Sequence, residues 1–215
     1  MMPMLVQKLE SKFHNKAIAS TGALNDTVLH LQTILQSNFC RKQTLHIRKL
    51  VSDGILYAGL DWGTISATKG IFFCNHLEIR QHCYHLLLHL VMVHAKVNEV
   101  SKELIHPILS QLVQTLVQEL LYAYRLVNCF SPSGMLQATL ETEFLHTILK
   151  LYETPASAVL FTQVYDTIEK ATKSDNLDDS TKMNTSLMKV KMFLEQAKRT
   201  TQVQFLCFKE HSTKK

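Results

Sequence analysis

Proline and glycine are scarce in this chain, with four prolines and six glycines among 215 residues. A β-sandwich or an α/β sheet needs far more turns than that punctuation supplies, whereas long helices joined by a handful of loops need little. Long hydrophobic runs are missing as well. The most apolar stretch, CYHLLLHLVMVHA at 83–95, is interrupted by histidines and bounded by Arg80 and Lys96, and it falls short of the roughly 20 residues that a bilayer demands. The opening residues, MMPMLVQKLESKF, offer neither a long apolar core nor a small-residue cleavage site, so no secretory leader is expected. Cysteine is thin and unpatterned: Cys40, Cys74, Cys83, Cys129 and Cys207 are odd in number and form no CxxC pair. Buried thiols in a reducing compartment are expected rather than a disulfide framework.

The motifs that announce chemistry are also lacking. No G-x-S-x-G elbow, Walker loop or G-x-G-x-x-G turn occurs, and each is a device for exposing a nucleophile or cradling phosphate. Ser133-Gly134 sits in a turn, where the serine reads as a helix cap. Glu141 and Glu143 lie two apart and face differently on a helix, which makes a poor acid–base pair. Basic residues interleaved with aromatics, as nucleic-acid binding requires, do not appear. The chain is therefore expected to be neither an enzyme nor a nucleic-acid binder, and to use no cofactor.

What is present is helical periodicity. With 46% hydrophobic residues the chain can bury a substantial core. In 105–128 only Glu119 and Arg125 are charged, while Leu109, Leu112, Val113, Leu116, Leu120, Leu121, Tyr124 and Val127 recur at steps of three and four. A helix apolar over so much of its girth must be enclosed by others. The pattern predicts helices over about 4–19, 25–36 and 42–57, the first two packed antiparallel across a stop at Thr21-Gly22. Gly54 marks either a close helix crossing or an early end. Residues 59–75 break the period, and Trp62, Phe72 and Phe73 are expected to pin that connection against a helix. Helix resumes near residue 76, kinks or restarts near His106 because of Pro107, and stops at FSPSG (130–134). Further helices are expected over about 136–151, from Thr154 as cap with Pro155 first, and over about 181–208, preceded by a polar loop at 173–182. The expected division is an amino-terminal helical group (1–60), a connection (61–75) and a carboxy-terminal bundle (76–215).

Two clusters are candidate sites. Arg41, Lys42, Arg48 and Lys49, with His46 between them, concentrate the positive charge of a chain whose net charge is +5. They suit an acidic partner or anionic head groups, although a solvated helix face explains them more simply. His82, His85 and His89, at steps of three and four, share one helical face beside Cys83. That face offers neutral imidazoles to a transition metal, but a metal also needs ligands converging from other elements.

Four strings, in order, carry a resemblance: RKLVSDGILYAGLDW (48–62), HAKVNEVSKELIHPILSQLVQTLVQELL (94–121), FSPSGMLQATLETE (130–143) and VQFLCF (203–208). Together they resemble the carboxy-terminal helical region of the exocyst complex component 2 family, whose amino-terminal part binds Ral GTPases. The resemblance implies an all-α fold of elongated, stacked helical bundles of the multisubunit vesicle-tethering type. It also implies a non-catalytic scaffold that contacts other exocyst subunits, cytoplasmic and recruited to the plasma membrane, touching membrane only peripherally through the complex. Ral binding is not expected, because neither the immunoglobulin-like Ral-binding domain nor the family's long helical hairpin is matched. The alternative is a helical metal-binding protein using the histidine cluster.

Overall fold

The computed structural model describes residues 3–64, 77–172 and 180–209. Among them the chain is built of α-helices: α1 (Pro3–Ile55), α2 (Gln81–Val100), α3 (Ile105–Arg125), α4 (Pro132–Leu149), α5 (Pro155–Lys170) and α6 (Ser180–Thr200). The expected all-α class holds, and the described residues contain no strand, only an isolated bridge between Phe130 and Thr172. Packing divides the chain into two compact units, 1–42 and 43–215, whereas the sequence had suggested a connection at 61–75.

The three expected amino-terminal helices are one helix. Thr21-Gly22 does not stop α1, since a glycine costs a helix about 1 kcal/mol and leaves its hydrogen-bond ladder intact, whereas a proline costs about 3 kcal/mol and removes a donor. The antiparallel pairing therefore does not exist. In the first unit Val28, Leu31, Ile34 and Leu35, apolar residues spaced to share a helix face, are exposed.

In the second unit the last turns of α1 bury Ile47, Val51 and Ile55, spaced by four along one face. Leu45, off that face, is 61% exposed. α1 ends after Ile55, and a Cβ on Gly54 would lie 2.3 Å from the His82 ring and 2.7 Å from His82 Cβ. Both readings of Gly54 are right: it sits at a helix end and at a close approach. The chain then turns through Gly59, whose φ of +69° is left-handed. It is pinned by Trp62, which is buried between the edges of Tyr124 and Phe130 with ring centroids at 5.9 and 5.4 Å. Phe72 and Phe73, given the same role, lie outside the described residues, as does most of the polar loop at 173–182.

α2 stops at Ser101, whose extended backbone begins a short 3-10 turn (Lys102–Leu104) before α3. Pro107 thus falls in the first turn of α3, where its missing N–H is an orphan anyway. α3 is not enclosed all round as the sequence suggested: it buries a broad apolar face from Ile108 to Tyr124 against α2 and α5, while Gln111, Gln118, Tyr122 and Arg125 are exposed. α4 lies against α5 and α6. Its cap is Ser131, which accepts from the Gly134 N–H at 3.0 Å, rather than Ser133. Thr154 caps α5 as expected, in a reciprocal box with Ser157.

α6 is shorter than predicted. It ends at Thr200, not Phe208, and its 21 residues span about 31 Å at 1.5 Å each. The Thr200 and Thr201 hydroxyls both donate to the Ala197 carbonyl, a competition with the ladder that loosens a last turn. A 3-10 turn, Leu206–Phe208, follows. It buries Phe205 and Phe208 as near-parallel rings 6.4 Å apart, with Tyr152 edge-on to Phe208.

Candidate functional site

The second unit centres its polar chemistry on one side chain that the sequence reading did not single out. Arg80, the residue before α2, presents its fork to Glu141 of α4: Nε donates to Oε1 at 2.5 Å and Nη2 to Oε2 at 2.7 Å. The remaining arm, Nη1, donates to the Gly54 carbonyl at 2.9 Å, and the guanidinium lies 4.8 Å from the Trp62 ring centroid. Gln137, one turn before Glu141, donates to Glu141 Oε1 at 2.6 Å and to the Glu78 carbonyl at 2.7 Å. Trp62 Nε1 donates to the Ile55 carbonyl, and the Trp62 carbonyl accepts from the Ser131 N–H, both at 2.9 Å. The end of α1, the connection, the start of α2 and the face of α4 thus meet on one cation.

Burial works against that cation, but the hydrogen bonds and charge of Glu141 outweigh it and hold Arg80 above its ordinary pKa. Glu141 is 1% exposed. Its charge is tolerated there because both oxygens are matched by a planar fork. A signal for this cluster does exist in the sequence. Gln137 and Glu141 stand four apart on a helix that carries Leu136, Leu140, Phe144, Leu145 and Leu149, and polar side chains on a face that is buried have to find partners.

The structure separates the three candidate imidazoles. His82 lies beside the cluster, its Nε2 3.7 Å from Glu141 Oε2. Burial, with Arg80 and His85 adding to it against the pull of Glu141, lowers its pKa. His85 is exposed. His89 faces His46 of α1, ring centroids 4.3 Å apart, with its Nε2 buried and unbonded.

Among the described residues the donor atoms that do converge, within 4.8 Å of one another, belong to His82, Cys83 and Glu141. That nitrogen, sulfur and oxygen set suits zinc in type. Its environment does not, because Arg80 already holds both oxygens of Glu141 and a divalent ion there would sit against a guanidinium. Burial also raises the Cys83 thiol well above its ordinary pKa, opposing the thiolate a metal needs. The cluster is a clamp between elements.

The four members of the basic group are all exposed along α1. Arg41 and Lys42 lie exposed in the first unit, Arg48 and Lys49 exposed in the second. Arg48 is committed to α3, with Nε and Nη2 at 3.0 and 2.8 Å from Glu119 Oε1. Glu143, set aside as a partner for Glu141, accepts instead from the Tyr165 hydroxyl.

No helix among the described residues is long and apolar enough to cross a membrane. Comparison with known proteins gives a consistent picture. The family model "Exocyst complex component Sec5" matches residues 1–208. Human exocyst complex component 2 is 32% identical over 114 residues, 53% of this chain and 12% of that protein. The fruit-fly protein of the same name is 26% identical over 131 residues, 61% of this chain and 14% of that one. SEC5B of Arabidopsis thaliana is 32% identical over 140 residues, 63% of this chain and 12% of that one. The chain thus spans only about an eighth of the length of these relatives. No solved structure matches. With nearly its whole length covered by one family model, and with the all-α fold that the four ordered strings implied, this chain belongs to the exocyst complex component Sec5 family.

Proposed function

We propose that this chain is a non-catalytic scaffold segment of the exocyst, helping to hold exocytic vesicles at the plasma membrane through protein–protein contacts. Its partners are other exocyst subunits. It works in the cytoplasm and reaches the plasma membrane with the complex, while Ral binding is not carried over. The observation that carries this reading is the family match over residues 1–208. The packing supports it, since the most deeply buried charge, Glu141, is spent on locking helices together.

Affinity capture of the tagged chain from cell extract tests the proposal. Recovery of exocyst subunits, retained after treatment with a chelator, is expected. A bait that returns none of them ends the scaffold reading. A purified chain that holds stoichiometric zinc counts against the scaffold reading and favours the metal-binding alternative.

A further inference from the structure

Between α4 and the end of α6 lies a recess of about 230 Å³ lined by Thr147 and Ile148 on one side and by Glu195, Lys198, Arg199 and Lys209 on the other, with Phe205 and Phe208 contributing apolar wall. Its charge is one-sided. Lys198 is paired with Glu195 at 2.9 Å, and among the described residues neither Arg199 nor Lys209 has a carboxylate within ion-pair distance. Lys191 extends the basic flank one turn back along α6.

Large apolar side chains are exposed beside the recess. Met188 and Met192, one turn apart on α6, are 69% and 71% exposed, and Val203 and Leu206 stand out from the turn that follows. Scattered single hydrophobics need no explanation, but four of them along one helix and its terminal turn, near Lys191, Lys198 and Arg199, make a surface built to be covered. Methionine suits such a surface because its unbranched side chain repacks around different partners.

The geometry points to the α4–α6 recess as a docking site for an acidic peptide segment carrying a large apolar anchor, supplied by a partner protein. Charge complementarity sets the acidic requirement: Lys198, Arg199 and Lys209 line the recess against the single carboxylate of Glu195, an excess of positive charge that asks for carboxylates on the incoming chain. The concave, aromatic-walled shape sets the anchor. A recess of this size takes one large side chain, whereas a flat sheet of lipid head groups has nothing to insert in it. This deepens the scaffold reading by naming the chemistry of a contact. Because binding is measured on the purified chain, its failure leaves the co-purification result untouched.

The test uses the full chain and a fluorescein-labelled peptide of alternating Asp and Glu around a central Phe. Fluorescence anisotropy is expected to show saturable binding that weakens as salt is added. Arg199→Glu with Lys209→Glu, both at helix-surface or turn positions, is expected to weaken it by about tenfold or more. Lys170→Glu, an exposed change at the end of α5, is expected to leave it intact, which separates the recess from net charge. Exchanging the acids for lysines, or the Phe for Ser, is expected to lower affinity. Absence of saturable binding, or equal binding by the double charge-reversal variant, overturns the proposal. So does retention of the chain by phosphatidylserine-containing vesicles, but not by the peptide, lost in that same variant.

Discussion

Arg80 and Glu141 are 61 residues apart in sequence and meet as a two-pronged pair, with Glu141 at 1% exposure. Removing one member leaves the other charged, buried and unmatched, which costs about 3–5 kcal/mol. Glu141→Leu and Arg80→Met are both expected to lower the urea midpoint sharply. The melting temperature should fall by roughly 10 °C, on a scale of about 2–4 °C per kcal/mol for a domain of this size. The double replacement Arg80→Met with Glu141→Leu is expected to cost less than either single one, since no charge is stranded. Strictly additive losses in that cycle contradict the clamp.

Gly54 gives a second cycle. Alanine at a helical position ordinarily gains about 0.5–1 kcal/mol over glycine. Here the new methyl meets the His82 ring at 2.3 Å and the His82 Cβ at 2.7 Å, so α2 has to shift and overpacking of about 1–3 kcal/mol prevails. Gly54→Ala is expected to destabilise the wild-type background and to be neutral or stabilising in His82→Gly, which removes both the ring and the Cβ it meets. Calorimetry of the four proteins decides it. A destabilisation that persists unchanged without the imidazole means the contact is not the cause.

How much of this was legible in the sequence depends on how local the cause is. Thr154-Pro155 announced the start of α5 because a cap needs only Ser157, three residues on, to complete it. The buried face of α3 was legible from the spacing of its leucines, whereas its exposed side was not, because Gln111, Gln118 and Tyr122 carry no charge to mark the solvent. α1 was misread because Thr21-Gly22 resembles a stop, and whether a glycine ends a helix is settled by propensity on both sides rather than by the glycine itself. The last turn of α6 was overextended because Phe205 and Phe208 keep a helical spacing while packing from a turn. The clamp was hidden for a different reason. A stripe of Gln137 and Glu141 says that a partner exists, and nothing nearby in the chain says that it is Arg80.

Trp62 joins the connection to the bundle by three separate means: a hydrogen bond from its indole, an acceptor carbonyl and aromatic edges. Trp62→Phe keeps much of the ring packing but leaves the Ile55 carbonyl without its donor, an expected loss of about 1–2 kcal/mol. Trp62→Ala also opens a void beneath Arg80, and about 3–5 kcal/mol is expected. Urea titration read by far-ultraviolet circular dichroism measures both. Equal losses in the two variants would assign the whole effect to the hydrogen bond and none to the ring.

His89 makes stability depend on pH. Burial, helped by His46 from α1 and Lys96 from α2, lowers its pKa from 6.5 to about 4, and its buried Nε2 has no hydrogen-bond partner. Because the folded value is the lower one, the unfolded chain binds the proton first as pH falls. The stabilisation from keeping this ring neutral is therefore complete above about 6.5, is lost progressively between 6.5 and 4, and changes no further below that. His82, also lowered, acts in the same direction, so a single substitution reduces the slope without abolishing it. The urea midpoint of the wild type is expected to drop between pH 7 and pH 5, and that of His89→Leu to drop less. The leucine also replaces an unbonded polar atom with packing, so the variant should overtake the wild type on the acid side. Parallel pH profiles for the two proteins would place the proton elsewhere.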